Sequence, residues 1–401
     1  MYGKPNWVEI DLDAIAYNCR QVKKWIGEKT ELAAVIKGNA YGHGTVMVAK
    51  IALENGATRF AAARVDEAVQ VRKAGIEAPI LVLGYVPAEE METVVRWRIT
   101  PPIMHWHTAE AVSGISSSQG GITPVHVKVD TGMGRFGLFP DEVVDFVKRL
   151  SELPGILLEG LYTQFAVADE ADKTYTYKQW EIYKKVLKDL EKAGIHIPIR
   201  HVCNSAATLN FPEMHLEMVR CGTAIYGHYP SPVTNHSVPL RPAMTLKSRV
   251  GRIRTLQAGS SISYGRTYTT TRPTTVALLP IGFGDGLSRK LSNKGSVLIR
   301  GKRVPIVGRV CMDQCIVDVS AIPDVQQDDE VVLFGRQACT EPLDTAQDRP
   351  SRSNGAEITV EEIASLMDSI NYVVLKAVTA RVPRVYLKGG KVVEVQTLAG
   401  E

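Results

Sequence analysis

A single lysine, Lys37, follows an apolar run of strand character and precedes a short glycine-rich stretch. The run is Leu32–Ile36, and residues 38–44 read GNAYGHG. A lysine at the end of a buried strand is costly unless it is paired or used covalently. Burial also lowers the pKa of the amine and makes it a nucleophile, which is what a Schiff-base enzyme needs. The alternative is that Lys37 simply extends from the strand end into solvent.

Two later stretches carry groups that could bind an anion. Residues 204–207 read NSAA, where Ser205 offers a hydroxyl at the start of a predicted helix. Residues 220–223 read RCGT, where Gly222 lets backbone N–H groups come close to an anion. Asn-Ser and Gly-Thr are also ordinary turn residues, so each stretch alone could be a simple turn. A phosphate site combined with a strand-end lysine points to pyridoxal phosphate as cofactor.

Strands and amphipathic helices alternate through the first part of the chain. Helical patterns include Val65–Ala74, Glu142–Leu150 and Lys178–Ala193. Strands that are apolar throughout and alternate with helices imply a parallel sheet, and about eight repeats predict a (β/α)8 barrel over residues 1–235. The predicted strands are Trp7–Ile10, Leu32–Ile36, Phe60–Ala63, Pro79–Leu83, Val125–Val129, Ile156–Leu161, Ile199–Cys203 and Glu217–Val219.

The barrel prediction places Lys37, residues 204–207 and residues 220–223 at the same end of the barrel. Catalytic groups of such barrels lie at the carboxyl ends of the strands, and phosphate often binds after strands seven and eight. Counted along the chain, Lys37 ends the second predicted strand, while Ser205 and Gly222 follow the seventh and eighth. A doubly wound open sheet is the alternative, but no G-x-G-x-x-G follows the first strand.

The pattern changes after Pro232. Short runs rich in β-branched residues then follow, separated by turn residues, and they predict a mainly antiparallel β domain over residues 236–401. Residues 340–355 are polar and rich in Asp, Arg and Ser, which is typical of a mobile surface insertion. The predicted strands are Met244–Arg254, Thr274–Pro280, Ser296–Ile299, Val304–Val310, Cys315–Val319 and Glu330–Phe334.

Composition argues against several classes of function. The formal charge of +4 comes without a basic block, so nothing supports binding to nucleic acid or to a membrane surface. No apolar run approaches membrane-spanning length and the N-terminus lacks a signal-like apolar region, so we expect a cytoplasmic protein. The six cysteines form no C-x-x-C pair and are expected to be reduced. His105 and His107 lack a third ligand, and we expect no metal.

Several motifs along the chain occur together in one order. They are residues 34–44 (AVIKGNAYGHG), 128–135 (KVDTGMGR), 204–206 (NSA), Arg220 with Gly222, 263–265 (SYG), 308–314 (GRVCMDQ) and 381–384 (RVPR). With these motifs the chain resembles the alanine racemase family over nearly its whole length. The resemblance implies a barrel followed by a β domain, pyridoxal 5'-phosphate as cofactor, and a homodimer with shared active sites. It also implies racemisation of L-alanine to D-alanine, which generally supplies cell-wall precursors.

The resemblance also implies roles for individual residues. Lys37 would join the cofactor through a Schiff base and act as the base on the D-face, with Tyr264 of the partner subunit on the L-face. Racemisation needs two opposed proton carriers, and a tyrosine with a usual pKa of about 10 needs a positive charge nearby. Arg220 would donate to the pyridine nitrogen. Because arginine stays protonated, that nitrogen would remain unprotonated, which weakens the electron sink and suppresses transamination.

The remaining implied roles concern substrate and phosphate. Arg135 would bind the substrate carboxylate together with the backbone of Met312. Lys128 matches a lysine that the family carries as a carbamate, which would orient Arg135. The implied phosphate ligands are Tyr41, Ser205, Gly222 and Thr223.

Three positions depart from the family pattern. Gln164 stands where a histidine is usual behind the pyridine-contacting arginine, and Phe283 stands where a tyrosine is usual. Ala380 replaces a tyrosine that narrows the substrate entrance. The loss of phenol groups at both Ala380 and Phe283 leads to the hypothesis of an enlarged pocket that also accepts serine or a longer amino acid such as lysine. The alternative is that a neighbouring side chain fills the gap and alanine stays the main substrate.

Two other functions compete with a racemase. A pyridoxal-phosphate-dependent decarboxylase is possible, but the chain lacks the His–Gly-rich run and second-domain cysteine motif of those enzymes. A non-catalytic cofactor carrier would resemble the barrel alone, whereas this chain has a second domain that bears Tyr264.

Overall fold

A computed structural model describes residues 4–337 and 356–398 of the chain. The insertion expected at residues 340–355 lies outside the described residues. The chain divides into two compact units, one of which is Ala14–Arg241. The other contains the residues from Pro242 onward together with those up to Asp13. The predicted division into residues 1–235 and 236–401 therefore differs from the observed one at the N-terminus. Strand β1 (Trp7–Asp11) pairs with strands of the C-terminal unit.

The first unit is a closed ring of eight parallel strands. They pair in the orders β4-β3-β2-β9 and β5-β6-β7-β8. The ring closes where Thr100 N donates to Ile80 O, and where Arg220 N donates to Cys203 O at 3.0 Å. The predicted (β/α)8 barrel is confirmed. The strands are β2 (Glu31–Val35), β3 (Arg59–Ala62), β4 (Ile80–Val82), β5 (Pro102–Ile103), β6 (Thr123–Lys128), β7 (Ile156–Tyr162), β8 (Ile199–His201) and β9 (Met218–Cys221).

Helices connect the barrel strands. In the longest of them Trp180, Tyr183, Val186 and Leu190 are buried, so the predicted apolar stripe faces the core. The helices are α1 (Leu12–Ile26), α2 (Lys37–Tyr41), α3 (Thr45–Glu54), α4 (Val65–Lys73), α5 (Met91–Arg96), α6 (Trp106–Ser118), α7 (Val143–Ser151), α8 (Thr174–Lys192) and α9 (Ser205–Asn210). Short 3₁₀ turns occur at Ala88–Glu90, Pro212–Met214 and Thr223–Tyr226.

One predicted barrel strand was wrong and one was missed. Trp7–Ile10 lies in the other unit, and its place in the count is taken by β5. That two-residue strand begins with a proline, which lacks an N–H group, and it is too short to show a hydrophobic period. Lys37 therefore follows the first barrel strand and not the second. Ser205 and Gly222 follow the seventh and eighth strands, as predicted.

The second unit is mainly antiparallel, as predicted. Its largest sheet has the order β16-β15-β18-β10-β1-β20-β21, with β19 paired to β18 and only β1–β20 parallel. A second sheet has the order β11-β14-β17, and β12 and β13 form a hairpin. The strands are β10 (Met244–Arg249), β11 (Arg252–Leu256), β12 (Ser261–Ile262), β13 (Tyr268–Thr269), β14 (Thr274–Leu279), β15 (Ser296–Ile299), β16 (Lys302–Pro305), β17 (Cys315–Asp318), β18 (Glu330–Gln337), β19 (Ala356–Ile358), β20 (Arg384–Lys388) and β21 (Lys391–Gln396).

Helices are few in this unit. Two helices that the sequence pattern had not indicated follow β19, and 3₁₀ turns interrupt the loops. These elements are α10 (Val360–Leu366), α11 (Asn371–Ala377) and the 3₁₀ turns Tyr264–Arg266 and Arg289–Leu291.

Features of other protein classes were sought in the part of the chain that the structure describes. None of its helices is both long and apolar enough to cross a membrane. Within residues 4–337 and 356–398, no three His, Cys, Asp or Glu side chains are grouped to hold a metal. His105 and His107 stack with ring centroids 5.7 Å apart at the start of α6, and not in a strand. The five described cysteines are free.

Candidate active site

The chain makes a left-handed turn directly after Lys37. Gly38, Asn39 and Ala40 have φ angles of 63°, 56° and 51°, and Tyr41 follows with 53°. Each non-glycine residue in this region costs about 1–2 kcal/mol. The turn is closed by Ala40 N, which donates to Ile36 O at 2.8 Å. Such a run of strained residues persists only where the surroundings hold it, and it is typical of functional sites.

Glu67 holds the start of this turn from helix α4. Its carboxylate accepts from Gly38 N at 2.6 Å and from Ala63 N at 2.8 Å. One side chain therefore ties the residue after Lys37 to the end of the neighbouring strand. Glu67 could not be identified from the sequence, because its spacing from Lys37 along the chain matches no motif.

Lys37 lies partly buried at the end of β2. Burial lowers the pKa of its amine, and the charges of Arg135 and Arg220 lower it further, whereas Glu67 acts in the opposite direction. A larger fraction of the amine is therefore neutral and nucleophilic than for an exposed lysine.

Gly222, Ser205 and Tyr41 form a cradle for an anion. Gly222 N donates to Ser205 Oγ at 3.0 Å, and Ala224 N approaches the same oxygen at 3.4 Å. A Cβ atom added to Gly222 would lie 2.7 Å from the Tyr41 hydroxyl oxygen, so only glycine permits this approach. Thr223 begins the 3₁₀ turn that follows. These hydroxyl and N–H groups, close to the partly buried Lys37, fit a phosphate-bearing cofactor that forms a Schiff base.

Arg220 is a fully buried cation inside the barrel. Its guanidinium donates to Gln164 Oε1 at 3.1 Å and to His201 Nδ1 at 2.7 Å. All acceptors that the structure gives it are neutral, and burial lowers the pKa of the guanidinium below its usual value. The other acceptors are the backbone oxygens of Thr163, His201 and Val202.

Lys128 is a second buried amine. It ends β6, and its Nζ lies 3.9 Å from the centre of the Phe136 ring and 5.3 Å from that of Tyr162. Burial, followed by the charge of Arg135, lowers the pKa of Lys128 to about 7. The Tyr162 hydroxyl is buried and has no hydrogen-bond partner in the part of the chain that the structure describes.

Asp130 shapes the loop that presents Arg135. Its carboxylate accepts from the backbone N–H groups of Gly132, Met133, Gly134 and Arg135 at 2.8–3.2 Å. Burial raises the pKa of Asp130, but these four bonds outweigh it and hold the pKa below its usual value. The Asp-x-Gly-x-Gly spacing is an Asx-turn signal that could have identified this residue.

The second unit presents Tyr264 on its surface. Tyr264 is 72% exposed and begins a 3₁₀ turn between Ser263 and Gly265, whose φ angles are 63° and 71°. The Ser263 hydroxyl donates to Arg309 O at 2.7 Å and fixes this strained turn to the next loop. The phenol therefore stands on a well-supported turn.

Met312, Phe283 and Ala380 belong to one group of loops in the same unit. Phe283 N donates to Cys311 O at 3.0 Å, and Gly284 N donates to Met312 O at 2.8 Å. Arg381, next to Ala380, pairs with Asp285 at 2.9 Å and with Asp313 at 2.8 Å. The two positions with lost phenol groups are thus held together with Met312, and Met312 is itself 56% exposed.

The candidate residues therefore form two groups, one in each unit. The barrel group contains two lysines, Lys37 and Lys128, whose pKa values are lowered by burial and by the charges of Arg135 and Arg220. Its members are Lys37, Tyr41, Lys128, Arg135, Gln164, Ser205, Arg220, Gly222 and Thr223. The other group contains Tyr264, Phe283, Met312 and Ala380.

Comparisons with known proteins match both units. The family model described as "Alanine racemase, N-terminal domain" covers residues 10–230, and "Alanine racemase, C-terminal domain" covers residues 243–386. The alanine racemase of Desulforamulus reducens is 45% identical over 386 residues, which are 96% of this chain and 99% of that protein. That of Methanococcus maripaludis is 44% identical over 390 residues, with 96% and 100% covered.

Solved structures agree. The alanine racemase of Clostridium difficile superposes with a TM-score of 0.91 at 40% identity, covering 99% of both chains. The alanine racemase of Bacillus anthracis with bound L-Ala-P superposes with a TM-score of 0.89 at 38% identity, covering 100% of this chain and 99% of the other.

Proposed function

Because the chain belongs to the alanine racemase family, we propose that it interconverts L-alanine and D-alanine with pyridoxal 5'-phosphate as cofactor. The observation that carries the proposal is the partly buried Lys37, with its lowered pKa, in a strained turn beside the cradle of Ser205 and Gly222. The cradle, Tyr41 and Thr223 would hold the phosphate. Lys37 would hold the cofactor covalently.

Two side chains, Lys37 and Tyr264, would transfer the α-proton of the substrate. When bound, the cofactor withdraws electrons from the substrate and makes its α-proton acidic. Lys37 Nζ then takes or returns that proton on the D-face, and Tyr264 of the partner subunit does so on the L-face. Two carriers on opposite faces are required because a single base would return the proton to the side it left.

Arg135 and Arg220 would orient the reactants. Arg135, presented by the Asp130 loop, would bind the substrate carboxylate together with the Met312 backbone. Arg220 would donate to the ring nitrogen of the cofactor, which therefore stays unprotonated, since arginine does not give up its proton. This limits side reactions that need a strong electron sink.

The direct test is α-proton exchange and chiral analysis of alanine in D2O with the holoenzyme. We expect deuterium at Cα and equal amounts of both enantiomers at equilibrium from either starting enantiomer. Exchange without racemisation, or loss of the carboxyl group as carbon dioxide, would contradict the proposal and favour a carrier or a decarboxylase.

A broader substrate range is the second candidate, and Ala380 is the observation that favours it. Ala380 is exposed between Thr379, whose hydroxyl donates to Gly284 O at 2.9 Å, and the ion-paired Arg381. Restoring the ring with Ala380→Tyr should lower kcat/KM for serine relative to alanine by about 10-fold, measured by chiral chromatography. Ala380→Ser keeps the small volume and should leave the ratio unchanged. An unchanged ratio in Ala380→Tyr would leave alanine as the main substrate and end the wide-pocket hypothesis.

Lys128 is expected to carry a carbamate. A pKa of about 7 leaves most of its amine neutral at pH 8, so that it can react with carbon dioxide. In ¹³C-bicarbonate the wild-type protein should give a carbamate signal in the ¹³C NMR spectrum that strengthens from pH 6 to pH 8. Lys128→Met should lack the signal, and its kcat/KM should fall about 10-fold because Arg135 loses a negative partner. Lys50→Met, at an exposed position of α3, is the control, and a signal that persists in Lys128→Met would place the carbamate elsewhere.

We also propose a cytoplasmic homodimer that supplies D-alanine for the cell wall. The exposed Tyr264 and Met312 support the dimer, because tyrosine and methionine are enriched at protein–protein interfaces. The free described cysteines suit a reducing compartment. Light scattering should give twice the chain mass of 44.0 kDa.

A further inference from the structure

A chain of hydrogen bonds leads from Arg220 through two buried histidines to a carboxylate. Arg220 donates to His201 Nδ1 at 2.7 Å, His201 Nε2 lies 2.8 Å from His126 Nδ1, and His126 Nε2 lies 2.9 Å from Glu159 Oε2. Both histidines are essentially without solvent exposure. The sequence motifs include none of His201, His126 and Glu159, and the proposed mechanism gives these residues no role.

Arg220 and Glu159, at the two ends of these hydrogen bonds, determine the tautomer of each histidine. A guanidinium is only a donor, so His201 Nδ1 must accept and the proton of His201 sits on Nε2. His201 Nε2 then donates to His126 Nδ1, and His126 Nε2 donates to the carboxylate of Glu159. Burial lowers the pKa of both histidines, and the charge of Arg220 lowers that of His201 further, so both rings are neutral. Only this direction of donation satisfies every contact.

The pairing of strands β6 and β7 positions the residues of this hydrogen-bond chain. Strands β6 and β7 pair with a register shift, because Val125 lies opposite Leu158 whereas His126 lies opposite Gly160. Glu159 is the residue left without a partner in the ladder, and such irregularities commonly redirect a side chain near an active site. A Cβ atom on Gly160 would lie 2.5 Å from the His126 ring, so glycine makes the room that this ring needs.

Glu159 is itself held in place and charged. Arg59 donates to its carboxylate at 3.0 Å and also pairs with Glu31. Burial raises the pKa of Glu159, but the bonds from His126 and Arg59 outweigh it and lower the pKa from its usual value. An ionised carboxylate is only an acceptor, and this fixes the far end of the chain.

We propose that Glu159 is a positioning residue that orients Arg220 through His126 and His201, each held in one tautomer. Without Glu159, Arg220 alone still favours this arrangement, but the opposite tautomers then cost only the Arg220–His201 hydrogen bond, so His201 presents an N–H group to Arg220 in part of the molecules. Two donors cannot face each other, so the guanidinium turns away from its place in those molecules. The inference rests on the proposed role of Arg220 toward the cofactor, although the tautomers themselves can be measured without any assay of racemisation.

The test compares histidine tautomers and kinetics in the holoenzyme. Two-bond ¹⁵N–¹H spectra of histidine-labelled wild-type protein should show His201 with its proton on Nε2 alone. In Glu159→Leu this signal should become a mixture of tautomers. The same variant should lose between about 10-fold and 100-fold in kcat, as expected for a displaced active-site group, and its cofactor absorption band should shift. Glu159→Gln still offers an amide oxygen to His126 and should recover most of both properties.

Glu217→Leu is the matched control. It removes a carboxylate that pairs with Arg200 beside β9 but has no contact with either histidine, so tautomers and kcat should stay as in the wild type. A proton on His201 Nδ1 in the wild-type protein would overturn the proposal, and this needs no variant to fold. Unchanged tautomers together with an unchanged kcat in Glu159→Leu would also overturn it. If alanine is not racemised but the tautomers are as described and respond to Glu159→Leu, the proposed reaction fails while the positioning chain stands.

Discussion

Lys37→Ala should reduce racemisation of alanine in both directions by at least about 10⁴-fold. The change would remove the proposed proton carrier of the D-face and also the proposed covalent attachment of the cofactor, so the loss should reach the upper end of what one general base contributes. Borohydride reduction followed by peptide mass mapping should place the pyridoxyl group on Lys37 in the wild-type protein and nowhere in the variant. Chiral chromatography of alanine measures the activity.

Lys50→Ala is the control for this prediction. Lys50 lies exposed on α3, and its loss should change neither activity nor the labelled peptide. Substantial racemisation by Lys37→Ala, or a pyridoxyl group on another lysine of the wild-type protein, would remove Lys37 from its proposed role.

Tyr264→Phe should separate proton exchange from racemisation. The variant lacks only the phenol oxygen, so racemisation should fall by about 10²-fold to 10⁴-fold in both directions. Lys37 is still present, so D-alanine in D2O should continue to exchange its α-proton while L-alanine forms far more slowly than it does with the wild-type protein. L-alanine should scarcely exchange, because the group that removes its proton is absent. NMR of the α-proton, with chiral analysis of the same samples, measures both quantities.

The matched control is Tyr268→Phe, in the hairpin that contains the same turn. It should leave both rates unchanged. Equal exchange of both enantiomers by Tyr264→Phe would mean that Lys37 or solvent serves both faces, and the two-carrier mechanism would then be wrong.

The barrel and the candidate role of Lys37 could both be predicted from the sequence, because both depend on local patterns. Apolar strands that alternate with helices indicate the fold class. A lysine that directly follows an apolar strand and precedes glycines indicates a site of chemistry. It was harder to predict which strands belong to the barrel, because β1 is assigned by pairing partners far away in the chain. A short strand that begins with proline has no periodic signal of its own.

The supporting residues of the site could not be predicted for a related reason. Glu67 acts on Gly38, and Glu159 acts on His126, through contacts between different strands and helices. The register shift that frees Glu159 from the ladder depends on how β6 and β7 pair, which no single segment specifies. Only Asp130, whose partners are the backbone N–H groups of four of the next five residues, lies in a sequence motif that indicates its role.

The left-handed turn after Lys37 limits how this catalytic motif could be reused in protein engineering. Residues 38–41 prefer other conformations when isolated, and their shape depends on Glu67 of α4 and on the bond from Thr45 N to Asn39 Oδ1. Grafting residues 34–44 alone onto another barrel should therefore give a lysine on a relaxed, differently directed loop. A graft that also carries α4 with Glu67 would retain the turn, so the smallest transferable part is two adjacent strand–helix units.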